Sequence, residues 1–434
     1  MKVAFHTLGC KVNQYETEAM KEQFLKRGCE IVEETEFADI YIINTCSVTS
    51  LADRKSRQYI RRMKKLNPAA VVAVTGCYAQ VNKEEVAAVE GVNLVVGTNE
   101  KTNIAQYVFH YIEENNMEIV EEHVLAYEEL DKFVECGTTT SMETRTRANV
   151  KIQEGCNRFC SYCIIPYARG PVRSREIEEV IKECETLIEK GFKEIVLTGI
   201  NTALCEHLDE ILAILDNMPG EFRVRLSSLE PTVVNEEYVK GLFKYKRLCH
   251  HLHLSLQAGS NDVLKSMNRR YNRDEYLDIV KALKDFDENY GITTDIIVGF
   301  PGETDENFED TMDIVEKSGF CKVHAFKYSK RSGTKAAEMT NQIDPSVKKV
   351  RSERLIEKAA EISDKFIENN IGTEREVLFE EYDFKRGALT GYTDNYIRVY
   401  LICEEAESKK YENQLVYVTI NEAFADGVKV QIKS

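Results

Sequence analysis

A chain of 434 residues is too long for one hydrophobic core and suggests roughly three domains. Its 43% hydrophobic and 30% charged residues suit a globular protein, and no apolar run approaches the ~20 residues that cross a bilayer. A cytoplasmic protein without a membrane partner is expected. The net charge of −16 excludes indiscriminate nucleic-acid binding, and thirteen cysteines in such a chain point to metal binding rather than to disulfides.

The first segment, 1–140, alternates strand-like runs at Lys2–His6, Asp39–Ile43, Val71–Val74 and Asn93–Val96 with helix-permissive runs at Asn13–Lys26, Ser50–Leu66, Lys83–Val89 and Lys101–Glu114. That alternation predicts a doubly wound parallel α/β domain. Cys10, Cys46 and Cys77 each follow one of the first three strands. Ligands of open α/β sheets gather beyond the carboxyl ends of strands, so these three distant cysteines can meet at one site. The stretch Gly137–Thr146, rich in Thr and Ser, is the expected hinge to the next segment.

Residues 145–371 repeat the βα alternation, with strands expected at Val150–Gln153, Glu194–Thr198, Phe222–Ser227, His251–Leu256, Thr293–Val298 and Lys322–Lys327. Six such units predict a partial (βα)6 barrel, related to the TIM barrel, with its chemistry at the carboxyl ends of the strands. The helix Arg175–Lys190 places Val180, Cys184 and Leu187 on one apolar face, and a long helix near Pro345–Asn370 does the same with Leu355, Ala359, Ile362 and Phe366. From Gly372 to Ser434 the pattern turns to short strands, at Glu376–Phe379, Ile397–Ile402, Leu415–Ile420 and Val428–Ile432, which suit a small β-barrel.

Cys156, Cys160 and Cys163 form a CxxxCxxC loop directly after a strand. Three thiolates can hold three irons of a cubane cluster and leave the fourth open, which a reactive site requires. Zinc is the alternative, but a structural zinc needs four ligands and the nearest downstream histidine is His207. Cys29, Cys136, Cys184, Cys205, Cys249, Cys321 and Cys403 read as ordinary or buried thiols. Two basic runs stand out against the acidic whole. Arg54, Lys55, Arg57, Arg61, Arg62, Lys64 and Lys65 form one, and Arg145, Arg147, Lys151, Arg158, Arg169, Arg173 and Arg175 form the other. Both lie near cysteines and are expected to make a phosphate-contacting surface.

The CxxxCxxC loop, with Tyr162 before its last cysteine, resembles the radical S-adenosylmethionine superfamily. The wider set narrows this: TLGCKVNQ at 7–14, NTC at 44–46, TGC at 75–77, EGCNRFCSYCIIPYARGPVRSR from Glu154, LSSLEP at 226–231, LSLQAGSN at 254–261 and GFPGET at 299–304. Together these resemble the methylthiotransferases, over the whole chain and in domain order. The resemblance implies two [4Fe-4S] clusters, one on Cys156, Cys160 and Cys163 and a second on Cys10, Cys46 and Cys77. It implies S-adenosylmethionine on the open iron, cleaved by one electron to a 5′-deoxyadenosyl radical, with a protein donor such as flavodoxin or ferredoxin. Contacts to that cofactor are expected from Tyr162, Gly199, Asn201, Glu230, Ser255, Gln257 and Gly299.

The reaction so implied replaces a hydrogen with a methylthio group. The GCKVNQYE start and RTRANVKIQEGCNRFCSYCIIPYARG most resemble the branch acting on N6-threonylcarbamoyladenosine beside the tRNA anticodon. Branches acting on N6-isopentenyladenosine or on an aspartate of a ribosomal protein are the alternatives. An anticodon-loop base suits recognition of unpaired RNA, and Arg269 and Arg270 are candidates for its threonyl carboxylate. The resemblance also implies a TRAM-type RNA-binding barrel at 372–434. Its eight Lys/Arg against twelve Asp/Glu make it an unusual clamp for RNA.

Overall fold

The computed structural model describes residues 1–47, 50–114, 119–134 and 146–433. Arg145, Cys136 and all of the expected hinge except Thr146 lie outside the described residues. The chain packs as two compact units. One comprises 1–143, 151–175 and 329–337, and the other 144–150, 176–328 and 338–434. The cysteine loop, expected with the second segment, therefore belongs to the same unit as Cys10, Cys46 and Cys77.

The first unit is built on a six-stranded sheet in the order Glu30–Val32, Lys2–Thr7, Ile40–Thr45, Val71–Gly76, Leu94–Val96 and Glu121–His123, parallel throughout. Alternation along each strand feeds two cores. Tyr41, Ile43, Val72, Val74 and Val95 pack with Tyr59, Ile60 and Met63 of the helix Ser50–Leu66. Ile40, Ile42, Ala73, Leu94 and Val96 pack instead with Met20 and Phe24 of Lys11–Leu25 and with Ile104 and Val108 of Ile104–Glu114. Helices on both faces are the doubly wound arrangement that the sequence pattern indicates. The two edge strands, Glu30–Val32 and Glu121–His123, are three residues each and too short and polar to announce themselves.

In the second unit, the strands Arg147–Lys151, Glu194–Thr198 and Arg223–Leu226 form one sheet in that order. Ser228–Leu229, His251–Leu254, Gly291–Val298 and Lys322–Lys327 form another, parallel throughout. The expected strand Phe222–Ser227 is thus divided at Ser227: its first part pairs with Glu194–Thr198, and its continuation pairs with His251–Leu254. The six expected strands run consecutively through both pieces, as a partial (βα)6 barrel requires. The helix Pro345–Asn370 starts where the Asp344 carboxylate accepts from the Ser346 amide at 2.8 Å, and its Leu355, Ile362 and Phe366 are buried.

The C-terminal segment closes into a barrel of Glu374–Asp383, Ala388–Thr393, Arg398–Ile402, Gly427–Ile432 and Leu415–Phe424, in that order. Its core of Val377, Phe379, Leu389, Val399, Val418, Ile420 and Val428 extends to Phe366 of the long helix. The strand Ala388–Thr393 was absent from the sequence expectation. It contains Gly391, where a Cβ would stand 2.2 Å from the Leu378 carbonyl oxygen, so close strand approach replaced the usual β-branched signature.

A buried carboxylate binds this barrel to the parallel sheet. Glu194 accepts from Arg223 Nε at 2.7 Å and Arg225 Nε at 2.8 Å. Arg223 then donates to the Tyr392 carbonyl at 3.0 Å and Arg225 to the Asp394 carbonyl at 2.9 Å. Burial alone would raise the Glu194 pKa, but Arg225 and Arg223 hold it well below the ordinary carboxylate range. Glu194→Gln strands two buried guanidinium groups and is expected to cost about 3–5 kcal/mol of stability, read by denaturant unfolding. A native pKa below the unfolded value gives stability that is complete above about pH 4.3 and lost on acidification. The gap between wild type and variant should accordingly narrow as the pH falls below 4.3.

Candidate iron–sulfur and cofactor site

In the first unit, three neighbouring parallel strands end at Thr7, Thr45 and Gly76, and Cys10, Cys46 and Cys77 follow them. Cys10 caps the helix Lys11–Leu25, and Cys77 opens Cys77–Val81. Glycines bring the turns together. At Gly9, with φ +117°, a Cβ would lie 2.8 Å from Cys46 Cβ and 3.1 Å from its Sγ. At Gly76, with φ +97°, it would lie 2.2 Å from the Thr45 carbonyl oxygen. Cys46 and Cys77 are buried. Cys10 is exposed as a residue, yet packing around its thiol raises the pKa, and the nearby Arg169 charge opposes that rise.

The loop of Cys156, Cys160 and Cys163 is closed at its neck. Gln153–Glu154 pairs antiparallel with Arg173–Ser174, and the Cys156 amide donates to the Gly170 carbonyl at 3.1 Å. Inside it the Cys163 amide donates to Cys160 O at 3.0 Å, and Phe159 takes φ +47°. A Cβ on Gly155 would meet the Pro171 carbonyl oxygen at 1.8 Å, so only glycine fits there. Cys160 is buried, while Cys156, Cys163 and Tyr162 are half-buried. Three cysteines on a tightly turned loop are a donor set that suits three cluster irons.

Against Cys77 lies a buried charge network. Arg169 ends the short helix Ile165–Arg169 that follows the loop, and it donates from Nε to Cys77 Sγ at 3.3 Å. Its Nη2 donates to Asn13 Oδ1 at 2.5 Å, and the guanidinium pairs with Glu16 and Glu154. Lys101 joins Glu16, and Lys151 reaches Glu16 at 3.3 Å and Glu154 at 2.9 Å. Burial works against every charge here. The cations nevertheless hold Glu16 well below its usual pKa and Glu154 below it, and Cys77, Glu16 and Glu154 hold Arg169 firmly charged.

This network overturns half of the expected phosphate-contacting surface. Lys151, Arg169, Arg173 and Arg175 are all buried, and Arg173 donates to the Leu130 carbonyl at 2.6 Å and the Lys132 carbonyl at 3.0 Å. Their partners Glu16, Asn99 and Leu130 lie far away in sequence, where charge counting along one run cannot find them. In the other run, on Ser50–Leu66, Arg54, Lys55, Arg61, Arg62 and Lys65 are exposed.

The second unit carries the remaining expected contacts. Gly199 and Asn201 directly follow the strand Glu194–Thr198. Glu230 pairs with Arg269 at 3.3 Å and accepts from Thr232 Oγ1 at 2.5 Å. Arg269 also donates to the Ser255 carbonyl at 3.4 Å, so the structure brings Glu230, Ser255 and Arg269 together. Arg270 is exposed. Gln257 takes a left-handed φ of +66°, and its amide donates to Asp295 O at 2.8 Å. At Gly299, φ is +72° and the amide donates to Glu303 Oε1 at 2.9 Å; a Cβ there would strike Lys348 Cγ at 2.3 Å.

The model of the radical SAM superfamily matches residues 150–315, and that of an uncharacterized protein family, UPF0004, matches 2–97. The threonylcarbamoyladenosine tRNA methylthiotransferase of Bacillus subtilis is 43% identical over 92% of this chain and 89% of its own. The tRNA-2-methylthio-N(6)-dimethylallyladenosine synthase of Alkaliphilus oremlandii is 38% identical over 87% of this chain and 82% of its own. Among solved structures, the radical S-adenosylmethionine methyltransferase TsrM of Kitasatospora setae matches with a TM-score of 0.60 and 15% identity, over 77% of this chain and 74% of that one, a likeness of fold. Identity of this extent, on a chain with both cysteine sets in place, means that the protein belongs to the radical SAM tRNA methylthiotransferases, enzymes that use a [4Fe-4S] cluster and S-adenosylmethionine.

Proposed function

We propose that this enzyme adds a methylthio group to C2 of N6-threonylcarbamoyladenosine in the tRNA anticodon loop. The observation that carries the reading is the placement of two cysteine triads on one compact unit, with Arg169 following one triad in sequence and donating to a thiol of the other. The base is chosen by similarity: the relatives named for threonylcarbamoyladenosine reach 43% identity, against 38% for those named for dimethylallyladenosine. In this reading Cys156, Cys160 and Cys163 hold the cluster that takes S-adenosylmethionine, and Cys10, Cys46 and Cys77 hold a second [4Fe-4S] cluster.

Bound S-adenosylmethionine supplies a methyl group and, once reduced at the cluster, the radical chemistry that opens an unactivated C–H bond. The chain's own residues do the positioning. Tyr162, Gly199, Asn201, Glu230, Ser255, Gln257 and Gly299 orient the cofactor. Arg269 pairs with the Glu230 carboxylate and holds it in place, and the exposed Arg270 offers a guanidinium to the threonyl carboxylate. Arg169 brings a buried positive charge to Cys77 at the strand ends, where cluster thiolates would be stabilised by it. A flavodoxin- or ferredoxin-like donor supplies electrons, and the cytoplasm is where such donors and tRNA are met. Among the described residues, no helix is long and apolar enough to cross a membrane.

Mass spectrometry of tRNA nucleosides from cells lacking the gene is expected to show the methylthiolated base replaced by N6-threonylcarbamoyladenosine. An unchanged product in a cell with no second such enzyme refutes the substrate. The triple variant Cys156→Ala, Cys160→Ala, Cys163→Ala should lose about half its iron and yield no 5′-deoxyadenosine. The triple variant of Cys10, Cys46 and Cys77 should also lose about half its iron, but still yield 5′-deoxyadenosine while forming no methylthio product. If the second variant keeps all its iron, the second cluster is refuted. Finally, the exposed cations of Ser50–Leu66 are assigned to RNA phosphates. Reversing Arg61, Arg62 and Lys65 to Glu should weaken tRNA binding and flatten its salt dependence by roughly 0.7–0.9 in log–log slope per lost contact.

A further inference from the structure

The partial barrel holds another group of metal-ligating side chains, one that contains no cysteine. His253 lies on His251–Leu254, Asp295 on Gly291–Val298 and His324 on Lys322–Lys327, three neighbouring parallel strands. The register sets His253 beside Thr293 and Asp295 beside His324. With a two-residue period, the three side chains therefore share one face of the sheet. That face is the half-buried one: the alternate residues Leu252, Leu254, Ile296 and Val298 are buried on the other side. One ligand atom from each of the three residues lies within 4.8 Å of the other two.

The geometry has room for a shared ion. His253 Nε2 stands 3.3 Å from Asp295 Oδ2. Charge-assisted hydrogen bonds run to about 2.7–2.9 Å, whereas the edge of a tetrahedron with metal–ligand bonds of about 2.0 Å measures about 3.3 Å. The hydroxyl of Thr293 lies 3.0 Å from His253 Nδ1 and 3.1 Å from His251 Nε2. It fixes the His253 ring so that Nε2 faces Asp295, the supporting contact that ligating histidines ordinarily have. The rings of His253 and His324 stand 6.1 Å apart at 40°, so they are tilted rather than stacked. Strand pairing brings His324 directly across from Asp295, so the register itself places a second imidazole beside the carboxylate.

We propose that His253, Asp295 and His324 bind a divalent transition metal of the zinc or iron class. Two imidazoles and one carboxylate leave open positions for oxygen donors such as water or a carboxylate. None of its three ligands is a cysteine. Co2+ is the probe, because oxidised [4Fe-4S] clusters are silent in electron paramagnetic resonance and high-spin Co2+ is not. Anaerobically reconstituted holoenzyme is expected to bind one equivalent of Co2+ that both His324→Ala and Asp295→Asn lose. In wild-type protein labelled with 15N-histidine, that Co2+ should show hyperfine coupling to two imidazole nitrogens. Equal Co2+ uptake by wild type and both variants, or bound Co2+ without histidine coupling, overturns the proposal. The coupling is read on wild-type protein, so the test holds even where a variant fails to fold.

Discussion

The first unit depends on the buried contact between Arg169 and Glu16. Taking these two charges out of water costs several kcal/mol for each ion, and a well-packed apolar pair would avoid that cost. What the ion pair adds is location. Arg169 belongs to the segment that carries the cysteine loop, and Glu16 to the helix that follows Cys10, so their pairing ties these two segments together. Three cations, Lys101, Lys151 and Arg169, share two carboxylates, Glu16 and Glu154, and the cation in excess is balanced where Arg169 faces Cys77. A low-dielectric pocket makes each of these charges strongly directive.

Backbone shape imposes the second constraint. Gly155 and Gly170 flank the loop, both with φ +73°, and a side chain on either would press into Pro171 or Leu130. The loop's neck is thus set by sterics before any thiol is ligated. Gly9 and Gly76 act the same way at the sheet, letting the turn that bears Cys10 approach Cys46 and the turn that bears Cys77 approach Thr45. Hard-sphere exclusion thus fixes the turns that carry the cysteines, and the charge network ties Arg169, which follows one set, to Cys77 of the other.

Much of this was legible in the sequence because it is written in local periodicity. Strand–helix alternation placed Cys10, Cys46 and Cys77 at strand ends, and the sheet order confirms that those strands are neighbours. Cys184, on an apolar helix face, is fully buried. What failed were features set by partners far along the chain. Arg169, Arg173 and Arg175 look like any surface basic run until Glu16, Glu154 and the Leu130 carbonyl are brought to them. The grouping of His253, Asp295 and His324 is equally invisible, since strand pairing alone brings them together. Ala388–Thr393 escaped because Gly391 is chosen for close approach rather than for strand propensity.

The C-terminal barrel is where charge and expected role disagree most, and its ion pairs sharpen the disagreement. Arg375 is bound to Asp287, Arg386 to Asp383, Arg398 to Asp426, Lys429 to Glu422 and Lys433 to Glu374. Lys385, Lys409 and Lys410 stand in sequence among Asp383, Glu405, Glu407 and Glu412. A cation already paired with a carboxylate releases few counterions on meeting a phosphate, so it adds little to affinity for RNA. The barrel does present Phe384, 74% exposed, and Tyr417, 59% exposed. Aromatic faces stack on unpaired bases whatever the surrounding charge, and each such contact is worth about 1–3 kcal/mol. The two surfaces therefore differ in kind: the helix Ser50–Leu66 carries exposed cations, whereas the barrel sets its cations against carboxylates and leaves aromatic rings exposed.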